Sequence, residues 1–96
     1  MPVDAGEKQT VTVKLAAVLA DLFPGAPRQC ELEAATVREL IDRLDERWPG
    51  MGDRICDTRP AIRRHMNVFV DGERQNLEAV LRPGAEIFIL TAISGG

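Results

Sequence analysis

The stretch from Thr36 to Gly50 restricts the fold more than any other, because it reads as a single amphipathic helix with a start signal and a stop signal. Thr36 and Glu39 have the spacing of a capping box: the Thr36 hydroxyl accepts from the Glu39 N–H, and the Glu39 carboxylate reaches back to the Thr36 N–H. Behind them Val37, Leu40, Ile41, Leu44 and Trp48 fall on one stripe of a 3.6-residue repeat. Arg38, Asp42, Arg43, Asp45, Glu46 and Arg47 take the remaining faces and read as a solvated surface. Pro49-Gly50 ends the helix. No other segment sustains such a stripe, so its apolar face must pack on strands.

The flanking sequence supplies them. Residues 9–15 alternate polar and apolar with period two, which puts Val11, Val13 and Leu15 on one buried face. Residues 16–23 read as a helical turn with Val18, Leu19 and Leu22 packed inward, and Pro24-Gly25-Ala26-Pro27 forces a turn. Residues 28–33 alternate again, with Cys30 and Leu32 facing in, so the two strands form a hairpin with a long connection. Residues 51–64 are a charged connector pinned by Met51 and Ile55, extended or turning at Pro60. Residues 65–70 are the next strand, and Asp71-Gly72 is a strong turn signal. Leu77, Val80 and Leu81 suggest a short helical turn closed by Pro83-Gly84, and a last strand runs from Glu86 to about Ile93. This order predicts an α+β chain of the β-grasp class: a mixed four- to five-stranded sheet packed on one main helix. A right-handed crossover should return the strand after the helix parallel to those before it. Residues 77–81 are too short for the second full helix of a ferredoxin-like alternative. The expected organisation is a loose leader over 1–8, the β-grasp domain over 9–92 and a flexible tail over 93–96.

Composition narrows the function by exclusion. At 96 residues there is material for one modest core. A net charge of -3 without a Lys/Arg cluster argues against nucleic acid as a partner, and the absence of a long apolar run argues against a membrane span. No secretory signal opens the sequence, which favours a cytoplasmic protein with reduced thiols. Cys30 and Cys56 stand far apart with no second pair to complete a metal site, and His65 lacks neighbours at ligand spacing. No metal site and no side-chain catalytic group are expected.

The end of the chain is the unusual part. The strand Glu86-Ile87-Phe88-Ile89-Leu90 leads through Thr91, Ala92 and Ile93 into Ser94-Gly95-Gly96. Glycine carries no Cβ, so this is the narrowest tail a polypeptide can present, one that could enter a site too tight for any side chain. Strand parity adds a second feature. If the helix covers Val68, Val70, Ile87 and Ile89, then Phe69, Phe88 and Leu90 point to the face it leaves open. Three large apolar groups there would mark a partner-docking patch on the very strand that carries the tail.

The Asn67-Val68-Phe69-Val70-Asp71-Gly72 strand and turn, the Arg82-Pro83-Gly84-Ala85-Glu86 approach to the last strand, and the Ala92-Ile93-Ser94-Gly95-Gly96 close together resemble the ThiS/MoaD family of ubiquitin-like sulfur carrier proteins. The resemblance spans about residues 10–96. It implies a carrier that is not itself an enzyme and holds no cofactor. An E1-like adenylating enzyme would use ATP and magnesium to activate the Gly96 carboxylate, and a sulfur donor would then convert it to a thiocarboxylate. Gly95 and Ser94 would form the slim tail, and Phe69, Phe88 and Leu90 the docking residues.

The Arg63-Arg64-His65-Met66-Asn67-Val68-Phe69-Val70 run and the long connector before it most resemble carriers of the cysteine-biosynthesis type. There the sulfur-accepting partner is a PLP cysteine synthase. Molybdopterin synthase small subunits, which pair with a large subunit, come next, and the more compact thiamine-type carriers third. A ubiquitin-like modifier joined through Gly96 to target lysines is the alternative from another class, since it shares the adenylation step.

Overall fold

A computed structural model describes residues 8–58 and 61–91 of the chain. The order is β1 (Gln9–Leu15), α1 (Ala17–Asp21), β2 (Gln29–Ala34), α2 (Val37–Arg47), α3 (Met51–Ile55), β3 (Met66–Val70), β4 (Glu73–Gln75) and β5 (Glu86–Thr91). The five strands form one mixed sheet in the order β2-β1-β5-β3-β4. β1 is antiparallel to β2 and parallel to β5, and β3 is antiparallel to both β5 and β4. The strand after the main helix, β3, therefore runs parallel to β2 but antiparallel to β1, with β1 and β5 lying between β2 and β3.

Alternation makes the sheet two-faced. Val11, Val13, Leu15, Leu32, Val68, Ile87 and Ile89 are buried on one side. The α2 stripe of Val37, Leu40, Ile41 and Leu44 closes over them in a single core. Full burial of an aliphatic side chain stabilises by roughly 1.5–3 kcal/mol, so this stripe is the main tether between helix and sheet. Trp48, the last residue of the expected stripe, is the C-cap and only partly buried.

The capping box forms with one change. The Glu39 N–H donates to Thr36 Oγ1 at 3.2 Å, whereas Glu39 Oε1 accepts from the N–H of Ala35, at 2.7 Å, and not from Thr36. The next two N–H groups of the helix start are taken up by a distant segment: Val37 donates to Ala79 O and Arg38 to Leu77 O. The turn expected over residues 77–81 shrinks to Leu77-Glu78, closed by the Ala79 N–H on Asn76 O at 3.3 Å, and no helix follows. The segment runs on in an irregular path with an isolated bridge between Val80 and Thr36, burying Leu77 and Leu81 and leaving Val80 outside. Satisfying the N–H groups of α2 outweighs the local apolar spacing.

Two further expectations are corrected. In α1, Leu19 and Ala20 are buried, while Val18 and Leu22 are 55% and 51% exposed. A five-residue helix turns only one narrow face to the core, and Val18 and Leu22, four apart, share the opposite one. The connector after Gly50 holds α3, whose Met51 and Ile55 are fully buried. Gly50 enters it at φ 98, a left-handed conformation that suits glycine. Asp45 Oδ1 accepts from the N–H groups of both Gly50 and Gly52, at 3.1 and 2.9 Å, and fastens the end of α2 to the start of α3.

The turn after β3 joins the sheet from below. Asp71 and Gly72 both have positive φ, 51 and 88, as a two-residue hairpin turn of this hand requires. β4 returns from it as a short edge strand, which completes five strands. Asp71 also holds the start of β5: its N–H donates to Glu86 O, and its Oδ1 accepts from the Glu86 N–H at 3.0 Å.

Candidate functional site

The site is built on β5. This strand lies inside the sheet, bonded to β1 along one edge and to β3 along the other. Ser94, Gly95 and Gly96 lie outside the described residues, as do the leader residues 1–7. What the structure defines is the root of the tail. Thr91, the last described residue of β5, is paired with Met66, at the end of the sheet where β3 begins and β1 finishes. A strand clamped on both edges resists being peeled out when its continuation is pulled, because every ladder bond must break together.

On the face opposite α2, Phe69 and Phe88 are direct cross-strand neighbours, and Leu90 stands opposite Asn67. The three residues expected from parity do share one face. The two phenylalanines are half-buried and Leu90 is 37% exposed. Adjacent aromatic pairs of this kind shelter one another and still present an apolar surface.

Two residues of this face escape a reading of the sequence. Lys14 of β1 is the register partner of Phe88, and its Nζ stands 5.0 Å from the ring centroid. Such a cation over an aromatic face contributes about 0.5–1 kcal/mol at an exposed site. The Lys14 ammonium also lies 3.8 Å from Glu86 Oε2. Arg74 of β4 is the partner of Phe69 on the other side. The row across the face is therefore Arg74, Phe69, Phe88, Lys14, a pair of aromatics bracketed by cations. Lys14 is outward by alternation in the sequence alone, but only the β1–β5 pairing puts it beside Phe88. Toward the opposite end of the face, Glu86, Thr12 and Glu31 form an acidic row.

Neither thiol is set up for chemistry. Burial pushes the Cys30 thiol up, with Arg47 opposing, and burial followed by the nearby Asp42 carboxylate pushes up Cys56. Both are half-buried and free. Among the described residues no three His, Cys, Asp or Glu side chains gather as a metal site would need. No described helix is long and apolar enough to cross a membrane.

A mixed five-stranded sheet wrapped on one main helix, with an interior last strand leading out of the domain, defines a ubiquitin-like protein of the β-grasp class. The ThiS family model matches residues 13–96, and the chain belongs to that family. Among solved structures, a chain of the Amycolatopsis orientalis BexX/CysO complex is 32% identical, with a TM-score of 0.79 over 90% of this chain and 99% of that one. SAMP1 from Haloferax volcanii is 27% identical, with a TM-score of 0.76 over 91% of this chain and 99% of its own. A putative molybdopterin converting factor subunit 1 from Pyrococcus furiosus, 21% identical with a TM-score of 0.70 over 88% of this chain and 99% of its own, shares the fold. A search of curated proteins finds no match. Together the family and its neighbours make this chain a sulfur carrier or ubiquitin-like modifier of the ThiS/MoaD type, a kind of small protein that is generally not catalytic.

Proposed function

We propose that this protein is a cytoplasmic sulfur carrier whose reactive group is the Gly96 carboxylate. A carboxylate is a poor electrophile, so an E1-like enzyme first transfers AMP to it from ATP, with magnesium, releasing pyrophosphate. Sulfide attacking the acyl carbon expels AMP and leaves the thiocarboxylate directly. A persulfide donor expels AMP to give an acyl disulfide, whose S–S bond a second thiol then cleaves, forming a disulfide with the donor and releasing the thiocarboxylate. The thiocarboxylate sulfur is afterwards the nucleophile in the accepting synthase. The carrier contributes the tail and the surface that presents it, and catalysis belongs to the partners.

The observation that carries this reading is the placement of β5. The strand leading toward Ser94-Gly95-Gly96 is locked between β1 and β3, and the same strand supplies Phe88 and Leu90 to the open face. A partner gripping Phe69, Phe88 and Leu90 would hold a body whose tail root is fixed relative to the grip. Five extended residues beyond Thr91 span up to about 17 Å, enough to enter a buried site.

For the accepting enzyme, the run from Arg63 to Val70 favours a PLP cysteine synthase over a molybdopterin synthase large subunit, and the likeness to a chain of the BexX/CysO complex supports an accepting partner of the sulfur-transfer kind. The likeness to SAMP1 favours a second reading, a modifier joined through Gly96 to lysines of target proteins. Incubation with the host's E1-like enzyme, ATP and magnesium should yield an AMP adduct that is lost when Gly96 is deleted. An unlabelled protein after that incubation, with the enzyme active on another carrier, would contradict the proposal.

A further inference from the structure

The end of the sheet where β5 runs out has a composition of its own. Ala16 donates its N–H to Ile89 O at 2.9 Å, which sets α1 directly beside the end of β5. Its exposed pair, Val18 and Leu22, together with Leu90 accounts for three of the four large apolar residues exposed among the described residues. Arg28 lies at this same end, because its carbonyl accepts from the Leu15 N–H. So does Arg64, two residues before Met66, the partner of Thr91. Across this edge the order is thus Arg28, the α1 apolar pair, the tail root and Arg64. Both arginines are exposed, and neither meets a carboxylate among the described residues. Arg38, Arg43 and Arg82 have acidic partners, whereas Arg47, Arg54 and Arg74, like Arg28 and Arg64, meet no carboxylate among the described residues; what distinguishes this edge is that its two arginines flank exposed aliphatic side chains.

Resting on the carrier reading above, we infer that this edge is a docking surface for the tail-receiving mouth of the activating enzyme. That mouth carries an apolar pocket for Val18 and Leu22, rimmed by carboxylates that meet Arg28 and Arg64. Charge complementarity selects this occupant. In a protein of net charge -3, two unpaired guanidiniums flanking an exposed apolar pair favour an acidic rim over a neutral or basic one. Rim charges of this kind act chiefly on encounter and register.

The test is steady-state adenylation by the host's E1-like enzyme, with two double variants, Arg28→Glu with Arg64→Glu and Val18→Ser with Leu22→Ser. All four side chains are exposed, and an unchanged urea midpoint confirms that each variant is folded. The KM for the carrier should rise about tenfold in each, with kcat unchanged, and the wild-type KM should rise with added salt. Glu31→Lys with Glu33→Lys, on the acidic part of the sheet, should leave both constants within about twofold. A carrier KM unmoved by both variants overturns the inference while leaving the carrier reading intact. A rise confined to the KM for ATP also overturns it, since the guanidiniums would then serve the nucleotide phosphates. Failure of the wild-type protein to be adenylated overturns the inference and the carrier reading together.

Discussion

Single residues secure the ends of the elements. Thr36 accepts the Glu39 N–H at the start of α2, and Thr36→Ala should cost about 1 kcal/mol, read as a lower urea midpoint. An unchanged midpoint would mean that the Ala79 and Leu77 carbonyls alone hold that helix end. Asp71 serves the turn in the same manner. The Glu86 N–H on its carboxylate is the main cause that holds it below the ordinary value of 3.8; slight burial opposes, and Arg82 at 3.0 Å reinforces. A carboxyl depressed in the folded state adds stability that is complete above its unfolded value and disappears as pH falls through the folded one. Asp71→Asn keeps a residue tolerant of positive φ, so wild type should exceed it slightly in urea midpoint at neutral pH. The gap should close in acid, below the usual carboxylate range. A gap that persists there would assign the effect to the backbone and not to the charge.

At the scale of elements, α2 and β5 divide the work of holding and presenting. Leu44 is fully buried in the α2 stripe, and Leu44→Ala should destabilise by about 2–5 kcal/mol in urea unfolding. Leu90→Asp is the contrasting case. Leu90 is on the open face, so the variant should unfold near the wild-type midpoint while its adenylation slows. Undiminished adenylation would remove Leu90 from the docking surface. The elements that local pattern announces are those with long stripes or clean alternation: β1, β2, α2, β3 and β5. What pattern alone misses is decided by partners far along the chain. α3 is held by Asp45, with a glycine at its second position, and its signal reduces to Met51 and Ile55 four residues apart. Residues 77–81 look helical by spacing, yet they give their carbonyls to the first turn of α2. The same holds for α1, where a run of apolar letters hides that Val18 and Leu22 face out.

For the molecule as a whole, the fold class was legible because one helix and alternating strands admit few packings, and the sheet order was not, because pairing is a property of distant segments. Parity sufficed to put Phe69, Phe88 and Leu90 on a common face. The cations around them, Lys14 and Arg74, depend on pairings that only the assembled sheet supplies. Under the proposed function the molecule is a presenter: an interior last strand, an apolar face on that strand and chemistry deferred to Gly96 and its partners. Carrier and modifier share this architecture and part only in the fate of that residue. Intact-protein mass spectrometry of the protein from its native host, with fragmentation across the last residues, separates the two fates. A sulfur carrier should show a species with one oxygen replaced by sulfur, localised to Gly96 and lost when that residue is deleted. Discrete conjugates linked through Gly96 to lysines, with no sulfur-substituted form, would contradict the carrier reading.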